Sequence, residues 1–175
     1  GLGAGYQPIG AMLCSDKIYS LLANGSGFFQ HGHTYLGHPV ACAGAKAVLE
    51  KIISNNLTNK VKIMGERLIG ELKNKFSNNP FIGDIRGRGL FIGMEFVKNK
   101  NTMEAFDSSI GLHKKFKASA FENGLICYPM GGTVDGIKGD HVLLAPPFII
   151  EDKHIEEMVD KLDKSLENVI KELKI

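Results

Sequence analysis

Apolar residues recur at helical spacing along three stretches of the chain. The pattern predicts helices over residues 38–55, 57–76 and from 151 to about 173. Their apolar positions are, in chain order, Val40, Ala43, Ala47, Val48 and Ile52; then Val61, Met64, Leu68 and Leu72; then Ile155, Val159, Leu162, Leu166 and Val169. Glu151 and Asp152 open the last helix, where the helix dipole favours carboxylates.

Continuous apolar runs between these helices predict short strands. We expect strands over residues 81–86 and 90–97, separated by a Gly-Arg-Gly turn, and further strands over 125–129 and 141–145. A shorter apolar run over residues 11–14 predicts one more buried strand.

Two weaker helices and one loop complete the pattern. Residues 15–22 predict a short helix, and residues 106–123 predict a helix that Gly124 ends. Residues 130–140 are rich in glycine, which predicts a hairpin or a flexible lid at the mouth of a pocket.

The chain changes character near residue 57, from glycine-rich loops to a regular alternation of helices and strands. The 175 residues suffice for one domain or somewhat more. We therefore predict an α/β protein with two parts, residues 1–56 and a small mixed (α+β) domain over residues 57–175.

Composition removes several classes of function. The formal net charge is +2 and the lysines are spread along the helices, so no nucleic-acid footprint is expected. No apolar run is long enough for a membrane span. The three cysteines are an odd number without CxxC spacing, which indicates neither a disulfide framework nor a metal site, and favours a reducing cytoplasm.

The stretch over residues 28–43 is the densest in polar donors. It carries three histidines, Gly32, Gly37 and Thr34, and then enters a predicted helix. A hydroxyl group together with backbone N–H groups at the start of a helix suits an anion such as phosphate. The alternative is a surface loop that caps the helix.

Two arginines lie at the turn between the first two predicted strands. Arg88 is expected to be structural, whereas Arg86 is open to two interpretations, a solvated turn residue or a clamp for a carboxylate or phosphate. Glu95, inside the second strand, needs a partner or an exposed face.

Four ordered blocks of sequence resemble the class III, pyridoxal-phosphate-dependent aminotransferases of fold type I. Residues 31–42 look like the family block His-Gly-x-Thr-x-x-Gly-x-Pro-x-Ala-Cys, and residues 86–95 look like its Arg-Gly-x-Gly-Leu-x-x-Gly-x-Glu block. Residues 143–150 are similar to the strand and Pro-Pro turn before the last helix. Residues 1–10 resemble the segment that follows the Schiff-base lysine.

The resemblance implies roles for individual residues. Thr34, with His33 as a weaker companion, would contact the phosphate of pyridoxal phosphate in the neighbouring subunit, which implies a homodimer with shared sites. Arg86 would bind substrate. The chain would be the C-terminal part of the enzyme, residues 1–56 being the end of the large domain. No catalytic residue is expected in it, because the Schiff-base lysine would precede Gly1, so the chain alone should be inactive.

The resemblance also bears on the substrates. Relatives of acetylornithine type carry an arginine where this chain has Leu143. Its absence implies an amino donor that is an ω-amino acid or amine, with a keto acid such as pyruvate as acceptor.

Two alternatives stay open at this point. The first is an aminomutase, racemase or decarboxylase on the same scaffold. The second is a stand-alone, non-catalytic interaction module, which would be a monomer without an exposed apolar patch. The aminotransferase interpretation instead predicts that residues 1–56 expose apolar surface.

Overall fold

The structure is a computed structural model that describes residues 1–174. The chain divides into two compact units, Gly1–Leu57 and Thr58–Ile175. The first unit consists of helix α1 (Asp16–Asn24), helix α2 (Pro39–Ser54) and long loops. Both helices lie where the sequence pattern predicted them, to within a few residues.

The structure differs from the sequence pattern at two places in the first unit. Residues 11–14 form no strand, and Met12 and Leu13 are largely exposed. An apolar run becomes a strand only where a neighbouring strand pairs with its backbone groups, and no part of the described chain does so here. In α2 the buried residues are Ala41 and Ala45, whereas Val40, one of the apolar positions of the helical pattern, is 57% exposed. An alanine-rich helix has small apolar residues on several faces, so periodicity did not identify the buried one.

The second unit combines three helices with one sheet. The helices are α3 (Leu57–Phe76), α4 (Leu112–Glu122) and α5 (Asp152–Leu173). The strands are β1 (Ile82–Arg88), β2 (Phe91–Phe96), β3 (Tyr128–Gly131) and β4 (Asp140–Leu144). Their order in the sheet is β1-β2-β4-β3, and every neighbouring pair is antiparallel. The predicted mixture of helices and strands is confirmed.

Helix α4 begins later than the pattern predicted. Ser108–Ile110 is a separate 3-10 turn, whose first residues are capped by Asp107 accepting a hydrogen bond from the Ser109 N–H at 2.8 Å. Gly111 follows with a φ of 60°. This left-handed residue ends the turn before the α-helix starts.

The strand predicted over residues 125–129 is displaced to Tyr128–Gly131. It lies at an edge of the sheet, where Pro129 is tolerated because an edge strand leaves one row of N–H positions unpaired. Residues 132–139 then form the loop of an antiparallel hairpin between β3 and β4. Of the hairpin and the flexible lid expected for residues 130–140, the structure shows the hairpin.

One side of the sheet packs against the helices and forms the core. The largest fully buried side chains include Phe76, Phe96, Phe106, Phe116, Leu68, Leu72 and Ile155. The other side, which we call the open face, carries Arg86, Glu95, His141 and Leu143. Burial alternates along β2 and β4, so successive residues point to the core and to the open face in turn.

Two features are absent from residues 1–174. No helix among them has the length and apolar character needed to cross a membrane. No group of three or more histidine, cysteine, aspartate or glutamate side chains in this part of the chain is arranged to hold a metal ion.

Candidate functional site

Thr34 lies in a tight turn of the first unit. The turn is closed by two backbone hydrogen bonds, from the Leu36 N–H to the His33 carbonyl at 2.9 Å and from the His38 N–H to the Tyr35 carbonyl at 3.1 Å. Within residues 1–174, neither the Thr34 hydroxyl group nor its backbone N–H has a hydrogen-bond partner, and the residue is exposed. Thr34 therefore presents two adjacent donors, a set that suits a phosphate group.

The three neighbouring histidines have different surroundings. The His33 ring packs edge-on against His31, with 5.1 Å between ring centroids, and His31 in turn packs against Phe29. His38 caps helix α2, because its Nδ1 accepts a hydrogen bond from the Ala41 N–H at 3.4 Å. The loop thus joins the Thr34 turn to the N-terminus of a sixteen-residue helix, an end that favours anions.

Arg86 lies on the open face of the second unit, between two carboxylates. Its guanidinium donates to Asp84 at 2.5 Å and also to Glu95. These two hydrogen bonds, that with Asp84 first, hold the pKa of Arg86 above its ordinary value. The partner that Glu95 needed is therefore Arg86. A substrate carboxylate that approached Arg86 would have to displace one of these two acids.

A shallow depression of about 320 Å³ lies beside Arg86 on the open face. Gly93 and Leu143, paired across β2 and β4, form part of its surface, and Phe91 lines one side. At the opposite side the Thr133 hydroxyl and the His141 Nδ1 are 2.6 Å apart and share a hydrogen bond. Leu143 thus contributes an apolar side chain to this depression.

Sequence reasoning missed Thr133 and His141. The period of two along β4 would have placed His141 on the same face as Leu143, once the strand and its partners were known. Thr133 had no such signal, because the hairpin loop alone brings it to His141. Cys127 carries no comparable chemistry, since burial raises the pKa of its thiol to about 11 and leaves it protonated at neutral pH.

Comparison with known proteins gives a consistent result. Residues 1–166 match the family model described as Aminotransferase class-III. An aminotransferase of Gibberella zeae is 41% identical over 95% of this chain and 33% of its own length. The chain therefore spans about a third of the length of this relative, and a similar share of the other curated relatives that it matches.

Solved structures agree with this match. An (S)-enantioselective omega-transaminase from Thermomicrobium roseum is similar with a TM-score of 0.86 and 31% identity, over 97% of this chain and 36% of that one. A PLP-bound aminotransferase mutant from Vibrio fluvialis is similar with a TM-score of 0.87 and 32% identity, over 98% of this chain and 36% of that one.

Proposed function

The chain belongs to the class III aminotransferases, and from that premise we propose that it is part of an enzyme that transfers an amino group from an ω-amino acid or amine to a keto acid such as pyruvate. The cofactor is pyridoxal phosphate, as in the relatives. The observation that carries the choice of donor is Leu143 in the depression of the open face, because it supplies no cation for a donor's α-carboxylate.

Thr34 fits the cofactor through its two unpaired donors. When bound, pyridoxal phosphate supplies an electron sink for the substrate carbon that bears the amino group. We assign to the Thr34 hydroxyl group and N–H the binding of the phosphate of a partner subunit's cofactor, with His33 as a companion. The enzyme is then a homodimer, since each site needs this loop from the other subunit.

Arg86 and the depression beside it are the proposed contacts for substrate. The guanidinium is already bonded to Asp84 and Glu95, so its capacity to bind a substrate carboxylate is reduced. Leu143 and Phe91 offer apolar contacts to the body of an amine. These features favour donors that do not depend on a carboxylate clamp at this face.

The 175 residues by themselves are proposed to be inactive. None of their lysines occupies the position of the cofactor-binding lysine in the family motif, and that lysine moves the proton during transamination. Large apolar side chains of the first unit are exposed, among them Tyr6, Leu13, Phe28 and Leu36. This exposure is expected for part of a larger enzyme and not for a stand-alone module.

The free cysteines are consistent with a reducing cytoplasm.

The test is a transamination assay of the full-length protein with an amine donor and pyruvate. We expect alanine to form in step with loss of the amine, and no alanine with the 175-residue chain alone. Product analysis separates the other chemistries of the scaffold, because a mutase or racemase would return an isomer of the donor and a decarboxylase would release carbon dioxide. Either of those products without alanine would contradict the proposal.

Replacing Thr34 with valine should weaken cofactor binding in the full-length protein. Loss of a hydrogen bond to a charged group corresponds to roughly a tenfold to hundredfold rise in the dissociation constant of pyridoxal phosphate. Titration of the apo-protein, followed by the visible absorbance of the cofactor, measures the constant. The control is Thr58→Val, an exposed threonine in helix α3. Equal affinity of Thr34→Val and wild type would remove Thr34 from the phosphate site.

A further inference from the structure

A buried carboxylate lies behind the open face, at the start of β4. Asp140 is only 5% exposed and belongs to the side of the sheet that faces the helices. In the sheet it pairs with Phe96 of β2 and Gly131 of β3. A buried carboxylate needs hydrogen-bond donors, and preferably a cation, to offset its lost hydration.

Two hydrogen-bond donors to Asp140 come from a single residue of helix α4, His113. The His113 backbone N–H donates to Asp140 Oδ1 at 3.1 Å, and the His113 Nδ1 lies 2.5 Å from the same oxygen. The imidazole also lies close to the backbone of β3, because a Cβ on Gly131 would come within 2.6 Å of His113 Cε1. His113 thus links the first turn of α4 to both strands of the hairpin at the point where its loop begins.

The residue after Asp140 is on the other side of the sheet. His141 follows Asp140 in β4, so its side chain points to the open face, where it is hydrogen-bonded to Thr133 of the hairpin loop. The loop is closed by hydrogen bonds of its own, among them those from the Gly132 N–H to the Gly139 carbonyl and from the Val134 N–H to the Lys138 carbonyl, whereas Val134 and Ile137 are exposed. Anchoring Asp140 on the inner side therefore fixes His141, and with it Thr133, on the outer side.

We propose that His113 is a positioning residue for the open face: by holding Asp140 it locks the β3–β4 hairpin, so that Thr133 and His141 stay at the side of the depression. The proposal rests on the proposed function only in taking the open face as the place where substrate binds. A carboxylate only accepts hydrogen bonds, so the neutral imidazole of His113 carries its proton on Nδ1.

The first test needs no substitution and no substrate. Nitrogen-15 NMR of the full-length protein labelled at histidine distinguishes a proton on Nδ1 from one on Nε2 in the neutral imidazole of His113. We expect the Nδ1–H form. A His113 signal typical of the Nε2–H form would overturn the proposal, because the imidazole would then not donate to Asp140.

The second test compares hydrogen exchange of the hairpin amides. His113→Phe keeps a ring against Gly131 but removes the side-chain donor, and His113→Asn restores a donor near the position of Nδ1. We expect the amides of residues 132–139 to exchange roughly ten times faster or more in His113→Phe and to recover in His113→Asn, with residues 92–96 unchanged. The control is Glu122→Gln, an exposed residue of the same helix. Hairpin exchange as slow as in wild type would overturn the proposal.

A third measurement separates this proposal from the proposed function. In the full-length protein, His113→Phe should raise KM for the amine severalfold and change kcat little, because the residue positions the binding surface and does not touch the reacting atoms. If the hairpin amides of His113→Phe exchange faster but KM for the amine is unchanged, the positioning role is overturned, while the transaminase activity remains intact. Should His113→Phe not fold, Gly131→Ala, which displaces the imidazole but retains its donors, serves for both comparisons.

Discussion

The Phe116→Ala variant is expected to lose about 3–5 kcal/mol of the free energy of unfolding, the range for truncation of a buried phenylalanine. Phe116 is 1% exposed, and its ring centroid lies 4.8 Å from that of Phe96 in the central strand β2. Its removal leaves a cavity between α4 and the sheet that the surrounding backbone cannot fill. Urea unfolding followed by circular dichroism measures the loss, since the chain has no tryptophan to report by fluorescence.

The matched control is Phe121→Ala in the same helix. Phe121 is 70% exposed, so its truncation should change the free energy of unfolding by no more than about 0.5 kcal/mol. Both variants delete the same atoms from one helix, so their difference isolates burial from helix propensity. Similar losses in the two variants would contradict the packing described for α4.

Two glycines of helix α3 should respond to alanine with opposite signs. A Cβ on Gly65 would lie 2.2 Å from the carbonyl oxygen of Gly89 and 2.6 Å from its Cα, in the turn between β1 and β2. Backbone at that distance cannot move aside without displacing the hairpin. Gly65→Ala should therefore lower the free energy of unfolding by about 1–3 kcal/mol or more. Gly70 has no atom within 4 Å of the corresponding position, and Gly70→Ala should gain roughly 0.5–1 kcal/mol from helix propensity.

Unfolding curves of the two glycine variants, measured in parallel, provide the comparison. Both changes add one methyl group to the same helix, so intrinsic propensity contributes equally to each. A stabilised Gly65→Ala would show that α3 and the β1–β2 turn lie farther apart than in this structure. Because that turn follows Arg86, the expected strain would also displace the ion pairs of the open face.

Hydrophobic periodicity was sufficient to predict some helices and strands and not others. The residues of α3 and α5 were predictable because apolar residues recur on one face over five or more turns. The structure of residues 11–14 was not predictable in this way, because a strand forms only where another strand from elsewhere in the chain pairs with it. The displacement of β3 by about three residues has the same cause: its ends are set by pairing with β4.

The candidate site was predictable to a similar extent. The motif around Thr34 is local, so its density of donors was visible in the sequence. Asp84 lies two residues before Arg86 in β1, on the same face of the strand, whereas only the register of β1 against β2 brings Glu95 to Arg86. His113 and Asp140 are 27 residues apart, and nothing in their spacing indicated a contact.

By itself the sequence determined the family, the long helices and the one loop suited to a phosphate, because these depend on residues near one another in the chain. Tertiary structure decided which face of α2 is buried, that Arg86 is bonded to two acids, and that His113 holds the strand whose next residue reaches the open face. The buried face of α2 depends on what packs against that helix. The contacts of Arg86 with Glu95 and of His113 with Asp140 depend on strand register and on the packing of α4 against the sheet, which bring distant residues together and which local sequence patterns do not specify.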